Sequence, residues 1–573
     1  MKTKNIIIKI VVVLMLSNLI ACNEEFLDRQ PLDKFTENDV FSTEESLETF
    51  VNRIYNQQYT VGTLDWWWRM TFELFYSPLT DESHGKFDFW HFKEVISGGL
   101  TPDNMGVFIN KWSISYQGIR NCNLFFKNIP ISEEAGVSPE AIARLSDEVR
   151  LLRAIIYHDL LKHFGGVPIA DQVYDLNNLE IIPRNTPKEV SDYILATLDT
   201  VIANGNLPGS YFDMAMNNKG RGTVALAHAL KSRVALYAAS PLFNTSNDAS
   251  LWDTAAKASL DAINYSEAQG HGLYDDYQGV FLDDYNMEVI FDKSLHSTST
   301  ATDLDNTIDR DLNANGYGGW TSMSPTQDFI EAYETADGLD IEDLGSGYTL
   351  DKFWENRDPR FYATVLYDGA MWKDREVEVF LPGGLDSRDG PEDWNTSRTG
   401  YYWKKLLDES VPKSELGGAN RGTQNKVEFR MAELYLNYAE TQIALGNEDK
   451  AIEYIDLIRS RPGVDMPSVS GLSGQALLDK YRNERRIELV LEGHRFHDLR
   501  RWDMYYETLN GFEVERINIT KAGDGTKSYS IGLADGGEGI NKYVIKPENE
   551  LIPIPRNEIN KSEGIIKQNP GYN

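Results

Sequence analysis

Cysteine is almost absent from this chain of 573 residues: only Cys22 and Cys122 occur. Two thiols cannot build a disulfide framework or a cysteine-rich zinc site. Positive charge is also scarce, with 56 Lys and Arg against 88 Asp and Glu and a formal net charge of −32. A surface that acidic repels nucleic-acid phosphates and anionic lipid headgroups, which leaves neutral or cationic ligands. The apolar run at the N-terminus, Ile10 to Leu16, is too short to span a bilayer. There is no GxxxxGK[ST] phosphate loop and no GxSxG nucleophile elbow. Carboxylate pairs are so common in an acidic chain that they argue for no glycosidase.

What is present begins with an address. Lys2, Lys4 and Lys9 flank a short apolar run that ends in Leu19-Ile20-Ala21-Cys22. A basic start, an apolar core and a small residue before the cut make a secretory signal over 1–21. Leu19–Cys22 resembles a bacterial lipobox, which makes Cys22 the lipidated first residue of the mature chain. Asn23-Glu24-Glu25 resembles the surface-export signal of Bacteroidota lipoproteins. Cys122 is then alone and reads as a small buried hydrophobe.

Helical signals follow an extended lead over 22–35. Thr36 or Asn38 caps a helix to about Tyr59. Further helices are expected from Asn104 to Lys127, from Pro139 to His163, from Pro187 to about Ile202, from Arg221 to Ala239 and from Trp252 to Ala268. Between about Gly270 and Gln424, Gly, Asp, Asn and aromatics rise and helical periods weaken, as in an inserted loop-rich lobe. Helices return at Glu428 to Leu445, and a Gly446 stop followed by a new helix resembles a tetratricopeptide hairpin. The next helix runs from Gln475 to Glu492, with Gly493 as its cap. The tail from Tyr543 to Asn573 reads as extended.

The densest charge lies in Arg482–Trp502, RNERRIELVLEGHRFHDLRRW, with six arginines beside Glu492, His494, His497 and Asp498. Two histidines just after a helix-stopping Gly493 do not share a helical face as metal ligands in HExxH do. Arg–carboxylate pairing along a helix end accounts for the segment instead. Asp311-x-Asn313-x-Asn315-Gly316 matches half of a calcium loop, but Ser322 stands where the bidentate Glu belongs. A plain Asn/Gly turn is the expectation there.

Arg482–Trp502 resembles the C-terminal signature of the SusD/RagB family. Arg150–Pro168, Gly220–Phe243, Phe429–Gly446 and Leu551–Tyr572 match the family in the same order. The resemblance implies a mainly α fold, a framework of tetratricopeptide-like helical hairpins carrying a variable lobe with short strands. The divisions are 36–269 for the N-terminal helical region, 270–424 for the lobe and 425–573 for the C-terminal helices and tail. It also implies a non-catalytic outer-membrane lipoprotein, without cofactor or metal. Such a protein binds glycans, or in some members peptides, and works with a SusC-like TonB-dependent transporter.

A sugar's C–H face packs on an indole while its hydroxyls need planar polar partners. In the resembling family, ligand aromatics come from the early loop and the variable lobe. Trp90 and Trp320 are therefore the leading candidates, followed by Trp67 and Tyr285, with Asp81 and Asn315 as polar partners.

Overall fold

The computed structural model describes residues 36–59, 74–87, 91–174, 181–215, 218–293, 307–416, 424–534 and 540–572. Cys22, Trp67 and Trp90 lie outside the described residues, as does the leader.

Thr36 caps the short helix Glu37–Phe41, its hydroxyl and backbone N–H exchanging hydrogen bonds with Asp39. Helix α1, Glu44–Tyr59, follows. Helix α2, Lys111–Glu134, starts seven residues later than the sequence pattern suggests. The delay comes at Gly106, which has a φ of +52° and whose missing Cβ would lie 2.7 Å from the His91 carbonyl, so only glycine makes that turn. Helix α3, Pro139–Phe164, has Ser138 as its cap and Pro139 in its first turn. Helix α4, Pro187–Asn204, opens on a Thr186/Glu189 capping box and stops at left-handed Gly205. Helices α5, Val224–Ala239, and α6, Ala249–Ala268, complete the N-terminal series.

Each of α2 to α6 packs on the next in sequence. Small residues permit the closest of these approaches: Ala235 and Ala239 meet Ala255 and Ala258 in one buried cluster. The series continues with α7, Met431–Ala444, which packs on α5 and α6, and with α8, Glu448–Arg459, its hairpin partner across Gly446. Helix α9, Gly474–Glu488, packs on both. The chain is thus mainly helical, and paired helices bury faces that none covers alone. Cys122 is fully buried in this core.

Strands are few and short. β1, Ser83–Gly85, pairs with β3, Met323–Pro325, and β2, Val289–Lys293, pairs with β4, Lys426–Arg430. β5, Glu515–Lys521, and β6, Lys527–Leu533, form a hairpin. The C-terminal tail is not wholly extended as expected, because it contains the helix Arg556–Lys561. Among the described residues no helix is long and apolar enough to cross a membrane.

A buried charge network ties these helices together. One Glu488 oxygen accepts from Arg430 at 2.7 Å and Arg461 at 2.9 Å, and the other from Arg360 at 3.1 Å. Glu492 accepts from Arg430 and Lys405, and Glu484 from Arg360 and Arg459. Helix α10, His494–Arg501, follows left-handed Gly493, so the two histidines expected beyond a helix stop lie on a helix of their own. Neither His497 nitrogen has a hydrogen-bond partner, and its ring meets the edge of His163 at 4.9 Å. Burial, with the charge of Lys162 beside it, holds His497 well below its ordinary range, so it packs as a neutral ring. Among the described residues no group of metal-ligating side chains forms.

Glu440 on α7 is held by both Nη atoms of Arg501 at 2.6 Å, by Trp502 and by Tyr481. Burial alone raises such a carboxyl, but Arg501, with help from Arg485, brings it down to about 2. Because this value lies below the ordinary 4.5, the pair stabilises the fold fully above that pH and loses its contribution as pH falls towards about 2. Glu440→Gln is expected to cost about 3 kcal/mol at pH 7, since it removes one of the two carboxylates that pair with buried Arg501 and leaves only Asp498. Urea unfolding at pH 7 and pH 4 tests both points; a variant within about 1 kcal/mol of the parent would show that the pair does not hold the fold.

Candidate functional site

The early segment 74–87 and the segment 307–326 are joined by the β1–β3 ladder, in which Gly85 faces Met323. Two flanking bonds extend it: Lys86 N–H donates to Ser322 O at 3.0 Å, and Thr326 N–H to Glu82 O at 3.0 Å. Gly85 is required here, because a Cβ would lie 2.8 Å from the Phe92 ring.

Asp81 anchors this ladder to the helices. Arg495 donates to both carboxylate oxygens, at 2.9 and 2.6 Å, and Arg486 adds a third contact at 3.2 Å. Burial alone raises the Asp81 carboxyl, but Arg486 and Arg495 hold it far below the usual carboxylate range. Glu82 beside it is pushed up to about 8 by burial and by the Asp81 charge, so it is protonated at neutral pH. Asp81 is buried and its oxygens serve this clamp rather than facing solvent.

The turn from Asp311 to Trp320 is equally committed inward. Asn315 is fully buried; its amide donates to Pro391 O at 3.0 Å and its oxygen accepts from Tyr402 at 2.9 Å. Asn313 accepts from Trp372 Nε1 at 3.1 Å, and Asp311 accepts from Thr307 and Arg310. The half-calcium-loop pattern thus folds as a turn whose oxygens bond to its own surroundings. Gly319 lets this turn close against the Asn313 carbonyl, where no Cβ fits.

Trp320 leaves the turn half-buried, with the Arg310 guanidinium 4.1 Å from its ring centre. Tyr285 is half-buried at a φ of +59° and packs with Tyr211 and Lys219, in the helical part of the chain rather than on the Trp320 turn.

The Asn315–Pro391 bond brings a second loop to this face. Glu392 is left-handed, and a single turn of 3-10 helix, Asp393–Asn395, carries Trp394. Trp394 is 60% exposed, and it is the only exposed tryptophan among the described residues. Next to it, both amide atoms of buried Asn395, the Thr396 hydroxyl and Arg398 Nε lack hydrogen-bond partners among the described residues. Across the ladder, so do Lys86 Nζ and the Ser322 hydroxyl. Burial, and secondarily the charge of Arg398, lowers the Lys86 ammonium to about 7, with Asp393 opposing the shift. Each neutral polar group left unpaired costs about 1–3 kcal/mol, and a cation more. Such a group of orphans marks a place that water or a ligand completes.

The sequence pattern did not single out Trp394, Lys86 or Arg398. The available signal was Trp394 within the turn-forming stretch Gly390-Pro391-Glu392-Asp393.

A cleft elsewhere in the chain competes with this face. This cleft, of about 540 Å³, lies between α2 and the C-terminal tail, lined by Trp112, Tyr116, Asn123, Ile181 and Ile566 among others. Two of its polar side chains are already used: Tyr116 donates to Pro168 O, and Asn123 to Ala170 O and Gln172 O. Its surface is mainly apolar, whereas the Trp394 loop joins an exposed ring to buried polar groups without partners among the described residues.

Comparison with known proteins agrees with this architecture. A family model described as "SusD family" matches residues 287–572, and one described as "Starch-binding associating with outer membrane" matches residues 25–236. The chain belongs to the SusD/RagB family. A SusD-like protein of Bacteroides ovatus is 22% identical over 94% of this chain and 93% of its own. A solved SusD-like protein of Bacteroides fragilis superposes with a TM-score of 0.75 at 26% identity, covering 95% of this chain and 100% of that one. A SusD-like carbohydrate binding protein from the same species gives a TM-score of 0.73 at 24% identity over 91% of this chain and 98% of its own.

The different commitments of Asp81 and Trp394 are separable by stability. Asp81→Ala is expected to lower the unfolding free energy by about 3 kcal/mol or more, because two guanidinium groups lose their counter-charge. Trp394→Ala is expected to stay within about 0.5 kcal/mol of the parent. Chemical unfolding of the two variants checks this, and equal costs would contradict the division into clamp and exposed ring.

Proposed function

We propose that this protein is a non-catalytic glycan-binding lipoprotein of the outer membrane. In this reading it is anchored through Cys22 and passes oligosaccharides to a SusC-like TonB-dependent transporter. The observation that carries the binding role is the exposed Trp394 next to buried Asn395 and Thr396, whose side chains lack partners among the described residues, with half-buried Trp320 on the segment that carries Ser322. An indole face takes the C–H side of a pyranose, and the orphaned amide and hydroxyls supply its oxygens with partners. Family membership and a relative described as carbohydrate binding support the same reading. Trp90 and Trp67 remain part of the proposed platform, since both lie in segments that flank 74–87 in sequence.

Cargo must be released, so moderate affinity suits the role better than tight binding. Affinity electrophoresis against a polysaccharide panel is expected to show retardation by at least one glycan, reduced about tenfold or more in both Trp320→Ala and Trp394→Ala. Normal binding by both variants would displace the site. Release of new reducing ends from a bound oligosaccharide, abolished by one Glu or Asp substitution, would instead make the protein a glycoside hydrolase. Binding of cationic peptides with no glycan retained would favour a RagB-like peptide importer, which the acidic surface would suit.

The anchor is tested separately. Cys22→Ala is expected to move the protein from the outer-membrane fraction to a soluble one, because acyl chains contribute about 0.8 kcal/mol per buried methylene. Continued membrane retention of that variant would dismiss Cys22 as the anchor.

A further inference from the structure

The chain carries a net charge of −32, and its buried cations are in general matched with carboxylates or, as for Arg357 and Arg500, with backbone carbonyls. Arg360, Arg430, Arg461 and Arg501 each meet at least one, and buried Lys405 meets Glu492 and two carbonyls. Lys86 breaks that pattern. It is only 4% exposed, yet among the described residues nothing accepts a hydrogen bond from its Nζ. Its described neighbours are the Phe87 ring at 4.8 Å, the Arg398 charge, which repels it, and Asp393, which attracts it without a hydrogen bond. Arg398 Nε and the Asn395 amide stand unpartnered nearby. In an acidic protein, where carboxylates are abundant, two adjacent cations without a bonded carboxylate leave a place for an anion from outside.

We propose that this face takes an anionic glycan, with carboxylate or sulfate oxygens of the sugar entering between Lys86 and Arg398 while a neighbouring ring lies on Trp394. The inference deepens the glycan-binding reading and rests on it. A neutral sugar would satisfy Asn395 and Thr396 but leave both cations without counter-charge. An oxyanion does both, since an ammonium and a guanidinium edge each form charge-assisted hydrogen bonds with its oxygens. The lowered Lys86 ammonium, at about 7, follows from the same geometry. A bound anion favours the charged form, so affinity is highest below that pH and falls as pH rises through it.

Calorimetry on the mature protein with two matched pairs tests the charge. One pair is polygalacturonate oligomers and their methyl esters; the other is iota-carrageenan oligomers and their desulfated form. The charged member of at least one pair is expected to bind tenfold tighter or better, and which pair does so separates carboxylate from sulfate. Lys86→Met should lose that preference about tenfold without lowering the thermal midpoint, because it removes an unpaired buried charge. Lys86→Arg should keep the preference and lose the fall in affinity between pH 6 and 8.5. Equal binding of charged and neutral members, unchanged in Lys86→Met, overturns the anionic-ligand proposal while the glycan reading stands. Equally tight binding of polyglutamate overturns the sugar part of it. Retention of no member of either pair, nor of any neutral polysaccharide, overturns the proposal and the reading together.

Discussion

The structure depends on a desolvated charge network centred on α9. Glu484 and Glu488 are buried, and each is shared between arginines from separate parts of the chain. Arg459 and Arg461 come from the end of α8 and just beyond it, Arg430 from the residue before α7, and Arg360 from the short helix Pro359–Thr364. Burying any one of these charges alone is expensive, and the attraction offsets that cost only when every partner is in place. The network therefore rejects arrangements in which one element is out of position. It supplies orientation, while the apolar helix faces supply most of the gain from burial.

The same helix reaches the candidate ligand face. Successive residues on a helix point about 100° apart, and Glu484, Arg485 and Arg486 use that spacing to serve three directions. Glu484 turns to α8, Arg485 to Asp498 and Asn437, and Arg486 to Asp81 and Asp328. Through Asp81 the clamp holds the β1–β3 ladder, and through the ladder it holds Lys86, Ser322 and the Trp320 turn. A segment dense in arginine and histidine thus spends its charges on pairing within the fold. It fixes the floor on which Trp320, Trp394 and the unpartnered polar groups stand.

Net charge and local charge give opposite indications here. A total of −32 argues against anionic partners at long range. Screening confines such effects to about 8 Å at physiological ionic strength. Within that distance Lys86 feels Arg398, Asp393 and its own desolvation rather than the whole chain. Composition therefore constrains diffusional encounter better than it constrains what a site accepts.

The helical framework was legible from sequence because its signals are local. Ser138 and Pro139, Thr186 and Glu189, and the Gly446 stop act within a turn or two of themselves, and the helices they announce are found. Arg482–Trp502 was legible as framework because its pairing follows from helix spacing, and the stop at Gly493 was legible too, though the helix α10 beyond it was not. The candidate site was legible only in part. Trp320 could be named from its glycine-rich setting, but burial alone decided that Asp81 and Asn315 spend their polar atoms inward. Lys86, Trp394 and Arg398 carry no local signal. Lys86 lies more than 300 residues before Trp394 and Arg398, and the ladder and the Asn315–Pro391 bond join their segments. Sequence determined the elements and the family, because capping, periodicity and turn chemistry are short-range. Tertiary structure decided which polar groups remain without partners, because that is a property of neighbours brought together from distant parts of the chain.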